Sequence, residues 1–204
     1  MKPLKGKRIV LLAAHEFEDV ELLYTLLRLS EEGAEIHVAT LPPDAAGHFH
    51  TRPHWPEKPI TGRFGSTVPF HVFGEGNRWH HKSTANIWAD DYDAVVIPGG
   101  FAPDYLRIDR AVLEFVADMY TKGKVVAAIC HGPQVLISTD VEMGTDIIKG
   151  RRVCGWLAVQ HDLTNAGGTF VDEPAVQEDN VITGRVPDDL PEFCHAIIAT
   201  LAAN

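Results

Sequence analysis

Cys130 ends an apolar run, Val125-Val126-Ala127-Ala128-Ile129, and is followed at once by His131-Gly132-Pro133. A thiol between a buried strand and a Pro-started helix sits on a sharp turn, with its backbone strained and its sulfur carried past the sheet edge. The positive end of the helix dipole favours charge there, which predicts a lowered thiol pKa and a reactive thiolate. Such a sulfur can attack a small electrophilic carbonyl. The other two cysteines lack this setting. Cys194 lies beside Phe193 in an amphipathic terminal segment, and no base stands near Cys154, so both read as packing residues.

A reactive sulfur needs a proton partner and donors for the charge it creates. Glu16, Glu18 and Glu21 follow the first apolar run; a carboxyl enclosed beside sulfur keeps its proton and can donate it. Acids at the start of a helix are also favoured by its dipole, the role that suits Glu16 and Glu21. Gly99 and Gly100 carry no Cβ and can bring backbone N–H groups close to a ligand, or can simply make a tight turn. His131 adjoins the thiol, yet neighbouring side chains on a sharp turn diverge.

Six of the eleven histidines, His48, His50, His54, His71, His80 and His81, lie within residues 48 to 81. Their spacing repeats no zinc module, so no metal and no cofactor is expected. Trp55, Phe64, Phe70, Phe73 and Trp79 in the same stretch are too many aromatics for free solvent. The segment is expected to cover the active site or another subunit and to narrow substrate access.

The elements that must hold these residues alternate along the chain. Strands are expected at Arg8 to Ala13, Glu35 to Leu41, Tyr92 to Ile97 and Lys124 to Ile129, with helices at Asp19 to Glu32 and Arg110 to Lys122. Val20, Leu23, Leu26, Leu27 and Leu29 supply the apolar face of the first helix. This order predicts a doubly wound, mostly parallel sheet in a single domain spanning 1 to 204, interrupted by a Pro-, His- and aromatic-rich excursion at about 42 to 88 with short strands near Thr67 to Val72. Further on come a strand at Arg152 to Cys154, a helix at Ala158 to Asn165 and a hairpin across Gln177 to Thr183. A terminal helix is expected from Asp188, as N-cap, to Ala203.

The formal charge of −10 repels phosphate backbones and argues against general nucleic-acid binding. No run is long enough for a membrane span, and the apolar stretch Ile9 to Ala14 is too short for a secretory h-region. Three cysteines, an odd number, favour a reducing compartment, taken as the cytoplasm.

Ala-Ile-Cys-His-Gly-Pro at 128 to 133 resembles the nucleophile elbow of PfpI-type proteins in the ThiJ/PfpI superfamily. Glu16-Phe17-Glu18-Asp19-Val20-Glu21 resembles that family's acidic loop, and Val96-Ile97-Pro98-Gly99-Gly100-Phe101-Ala102-Pro103 its Pro-Gly-Gly turn. The resemblance covers nearly everything outside 42 to 88. It implies a flavodoxin-like three-layer α/β/α sandwich of the class I glutamine amidotransferase-like kind and a homo-oligomer. It also implies Cys130 as nucleophile, Glu18 as the acid at the sulfur, and Gly99, Gly100 and the N–H of His131 as oxyanion donors. In PfpI-like peptidases a glutamate of a neighbouring subunit orients the histidine; here that position holds Asp104, one methylene shorter.

Three functions follow from this resemblance. The first is glutathione-independent conversion of 2-oxoaldehydes or their adducts, of the glyoxalase III or deglycase kind, with Glu18 moving the proton. The second is a cysteine peptidase using His131 and Asp104. The third is a sensor in which Cys130 is oxidised to a sulfinate.

Overall fold

Runs too apolar to face water on either side become the strands of a central sheet. The computed structural model describes residues 2–42, 60–68 and 79–203. Its strands are β1 (Arg8–Ala13), β2 (Glu35–Thr40), β3 (Ile60–Thr61), β4 (Thr67–Val68), β5 (Trp79–Ser83), β6 (Ala94–Ile97), β7 (Val125–Ile129), β8 (Arg152–Val153), β9 (Thr169–Phe170), β10 (Ala175–Glu178) and β11 (Val181–Gly184). The helices are α1 (Asp19–Glu31), α2 (Ala102–Leu106), α3 (Arg110–Thr121), α4 (Pro133–Met143), α5 (Gln160–Asn165) and α6 (Leu190–Ala203). The central sheet runs β10-β11-β7-β6-β1-β2-β5, parallel except where β10 turns back on β11. The β3–β4 hairpin and the β8–β9 pair stand apart from it.

Every residue of β6 and β7 is buried, as two-sided helix cover requires. Helix α1 packs with α6 and α3 with α4, completing a flavodoxin-like α/β/α sandwich. In such a sheet the carboxyl ends of the strands form the binding edge. The ends of β1, β6 and β7 lead directly into the acidic loop, the Gly-Gly turn and Cys130.

Two local expectations are corrected, and a third is met as far as the described residues reach. In α1 the buried apolar stripe is Leu22, Leu26 and Leu29, accompanied by Glu21 and Thr25, whereas Val20 and Leu27 are about half exposed. The helix is therefore rotated so that an acid faces the core. The terminal helix begins at Leu190, behind a 3₁₀ turn at Pro187–Asp189, so Asp188 is not its N-cap. The strand expected near Thr67 to Val72 covers Thr67–Val68; residues 69 to 72 lie outside the described residues. No helix among the described residues is long and apolar enough to cross a membrane.

Candidate active site

Cys130 has φ +60°, a left-handed conformation that costs a non-glycine residue about 1–3 kcal/mol and needs a frame to hold it. The frame is backbone. Cys130 N–H donates to the carbonyl of Gly184 at 3.0 Å, and its own carbonyl accepts from Trp156 N–H at 2.9 Å. Gly132 must lack a Cβ, which would fall 2.3 Å from the carbonyl oxygen of Ile97. The thiol is enclosed rather than projecting, with only 9 % of the residue exposed.

The carboxyl at the sulfur belongs to Glu21, not Glu18. Glu21 is fully buried, accepts the Gly99 N–H at 2.5 Å and hydrogen-bonds the Cys130 side chain. Burial pushes its pKa up to about 8; Gly99 and Cys130 pull the other way without prevailing. The thiol is also raised, contrary to the expectation from the helix start. Burial is the main cause and the neighbouring Glu21 the next, and they outweigh the N–H groups of His131 and Gly100 that point at the sulfur. Sulfur and carboxyl thus form a coupled pair, and a proton lost by one is retained more tightly by the other.

The Gly-Gly turn serves this pair unequally. A Cβ on Gly99 would lie 2.8 Å from Cys130 Cβ and 3.0 Å from Glu21 Oε2. Its N–H is occupied by Glu21, so Gly99 is not an oxyanion donor here, and the donors facing the sulfur are Gly100 and His131. Gly100 has φ +72° and presses on the acidic loop: Phe17 and Gly100 form an isolated β-bridge, Phe101 N–H donates to Glu16 O at 2.8 Å, and Glu18 N–H donates to Gly99 O at 3.2 Å.

Glu18 occupies the N-cap position of α1, where it is buried and pairs with Arg63, with Nη1 to Oε2 at 3.1 Å. Burial holds its pKa above the usual carboxylate range although Arg63 opposes this. Arg63 stands on the turn between β3 and β4. The buried carboxylate of Asp19 staples that turn to α1 by accepting the N–H groups of Phe64 and Ser66, each at 2.8 Å. Burial disfavours the Asp19 charge, but these donors and the Ser66 hydroxyl win and lower its pKa. The guanidinium also lies over the rings of Phe101 and Phe64, 5.1 and 5.8 Å from their centroids. The β3–β4 turn thus stands beside Glu18, while Phe64, one of the aromatics expected to avoid solvent, is largely exposed and Trp79, on the edge strand, bonds Ser30; Trp55, Phe70 and Phe73 lie outside the described residues.

His131 is half-buried and stacks on Trp156, with centroids 6.5 Å apart and planes 30° apart. Burial lowers its pKa; Asp104 opposes this and Arg63 adds to it. Asp104 is exposed on α2 and acts on the imidazole within the same chain. Cys154 and Cys194 are buried against Thr183 and Thr25.

Sequence reasoning missed Glu21, Arg63 and Trp156. The signal for Glu21 was available: it lies four residues before Thr25 and eight before Leu29, on the buried stripe of α1. Among the histidines singled out, His81 bonds Thr40 Oγ1 at 2.8 Å and His80 packs against His37. His48, His50, His54 and His71 lie outside the described residues.

The DJ-1/PfpI family model matches residues 7–200. The chain is 36% identical to the deglycase PfpI of Pyrococcus furiosus over 195 residues, 95% of this chain and 99% of that protein. It is 39% identical to an uncharacterised protein of Archaeoglobus fulgidus, covering 95% and 98% of the two chains. Drosophila melanogaster DJ-1beta superposes with a TM-score of 0.75 at 22% identity, over 97% of this chain and 91% of that one, a likeness of fold. With the match spanning nearly all of its length, the chain belongs to the DJ-1/PfpI family.

Proposed function

We propose that the protein is a cysteine-dependent enzyme acting on 2-oxoaldehydes or their adducts without glutathione. The observation that carries this reading is the buried, proton-retaining Glu21 against Cys130. Relatives named deglycases support it. The reactive form is the pair with one proton removed: Glu21, as carboxylate, takes the thiol proton while the sulfur adds to the aldehyde carbon. The resulting alkoxide is stabilised by the N–H groups of Gly100 and His131 and takes the proton back, giving a hemithioacetal. Glu21 then removes the hydrogen on that carbon and returns a proton to the adjacent carbon, while the hemithioacetal hydroxyl proton passes to the ketone oxygen, so that the ketone becomes an alcohol and the adduct a thioester. Water cleaves the thioester, yielding a 2-hydroxy acid and free Cys130. The net change is addition of one water, with no external oxidant or reductant.

The role first expected of Glu18 passes in this scheme to Glu21, because a proton shuttle must touch the sulfur and the reacting carbon. The test is methylglyoxal consumption and lactate formation without glutathione. Cys130→Ser and Glu21→Gln should each lose at least about a hundredfold in turnover, while Glu18→Gln retains most of it. Full activity in Glu21→Gln would reject the proton role; an inert wild type with reduced Cys130 would reject the substrate class.

A peptidase reading rests on the pull of Asp104 on His131 within one chain. It requires His131 to protonate an amine leaving group, and peptide hydrolysis that survives Asp104→Ala would exclude the triad form of it.

A further inference from the structure

At the amino-terminal end of the sheet, away from Cys130, two parallel strands bring three ligand-type side chains onto one face. Glu35 and His37 are two residues apart on β2, so both point the same way, and His80 on β5 stands directly opposite His37 in the register. One ligating atom from each lies within 4.8 Å of the other two. His37 Nε2 is 2.9 Å from Glu35 Oε1, and the His37 and His80 rings meet edge to face with centroids 5.0 Å apart.

We propose that Glu35, His37 and His80 form a zinc-class divalent metal site that ties the edge strand β5 to β2. Two imidazoles and a carboxylate are a donor set suited to Zn²⁺, and three protein ligands leave a fourth position for water. Tetrahedral ligands on bonds of about 2.0–2.2 Å stand roughly 3.4 Å apart. The Glu35–His37 pair must open slightly and His80 close by side-chain rotation, without any change of strand register. The metal takes the place of the proton between His37 Nε2 and Glu35.

The surroundings are those of a supported site. Buried Tyr92 holds His37 Nδ1 at 2.7 Å through its hydroxyl, which fixes the ring with Nε2 facing the cluster. Arg8 Nε, at 2.9 Å from Glu35 Oε1, orients the carboxylate. Asp93 accepts the Arg8 backbone N–H at 2.9 Å and the Asp91 carbonyl accepts from the Arg8 guanidinium at 3.3 Å, which holds Arg8 against the cluster. Glu35 and His80 are only partly buried, so an ion can enter.

The experiment is titration of the full chain with Zn²⁺ by calorimetry and with Co²⁺ by visible absorption, comparing wild type with His80→Gln, Glu35→Gln and His48→Gln. His48 stands for the remaining histidines of the 48 to 81 stretch as competing ligands. One zinc per chain is expected, with intense tetrahedral Co²⁺ bands. His80→Gln and Glu35→Gln should each weaken Zn²⁺ binding at least about tenfold and erase the bands, while His48→Gln changes neither. With zinc about a hundredfold above its Kd, the melting temperature of the wild type should rise by about 5–11 °C. If the wild type binds no stoichiometric zinc, or binding is unchanged in His80→Gln and Glu35→Gln, the site is rejected. Should His80→Gln fail to fold by circular dichroism, Glu35→Gln alone decides, since its side chain keeps the shape of the one it replaces.

Discussion

The thiol of Cys130 and the carboxyl of Glu21 are raised together, and each controls when the other ionises. The pair should begin to lose its first proton near pH 8, so alkylation of Cys130 by iodoacetamide should climb as pH rises through about 8. A rate that is already flat from pH 6 upward would mean a free, low-pKa thiolate. The same group carries a stability signature. Glu21 ionises near 4.5 when unfolded and near 8 when folded, so between those values the folded chain binds the extra proton. Stability therefore falls as pH rises across that window and levels off above it. Glu21→Gln keeps the acceptor for Gly99 but cannot ionise. It should lose this slope and exceed the wild type at pH 8 by about 1–3 kcal/mol in urea unfolding.

At the scale of elements, the site depends on close backbone approach. Gly132→Ala places a Cβ 2.3 Å from Ile97 O and 2.8 Å from Ile129 O, both main-chain atoms that cannot swing aside. It should destabilise by more than about 3 kcal/mol or prevent folding, read by thermal unfolding. Asp19→Ala instead frees the β3–β4 turn by removing the acceptor of Phe64 and Ser66 N–H. A loss of about 1–3 kcal/mol should come with faster modification of Cys130, because Arg63 and Phe64 shift away from the mouth of the site. The strands and the elbow were legible in the sequence because a two-sided buried strand leaves a continuous apolar run and a Cys-His-Gly-Pro turn leaves no room for another element. Glu21 was hidden by a reading of α1 that put Val20 and Leu27 inward, which turns an acid on the buried stripe into an acid on the surface. Arg63 was hidden for a different reason: its place depends on Asp19, more than forty residues earlier in the chain.

At the scale of the whole molecule, an acidic chain carries Arg63 beside the site, paired with Glu18. The net charge of −10 should slow the approach of an anionic carbonyl such as glyoxylate and leave neutral methylglyoxal unaffected. Raising the salt from low to physiological strength should then increase kcat/KM for glyoxylate severalfold and scarcely change it for methylglyoxal. A decrease for glyoxylate would show that the local attraction of Arg63 governs the encounter.

The β-bridge between Phe17 and Gly100 joins the acidic loop to the Gly-Gly turn through main-chain atoms alone. Glu21 and the donor N–H of Gly100 therefore ride on one welded piece of backbone, and the turn that carries Arg63 is joined to it as well, since Glu16 N–H donates to Thr61 O at 2.7 Å and Arg63 N–H donates to Phe17 O at 3.1 Å. Descendants of this chain that alter the turn must keep these main-chain bonds, or the acidic loop beside the sulfur shifts with it. Reactivity and selectivity are held on one continuous frame.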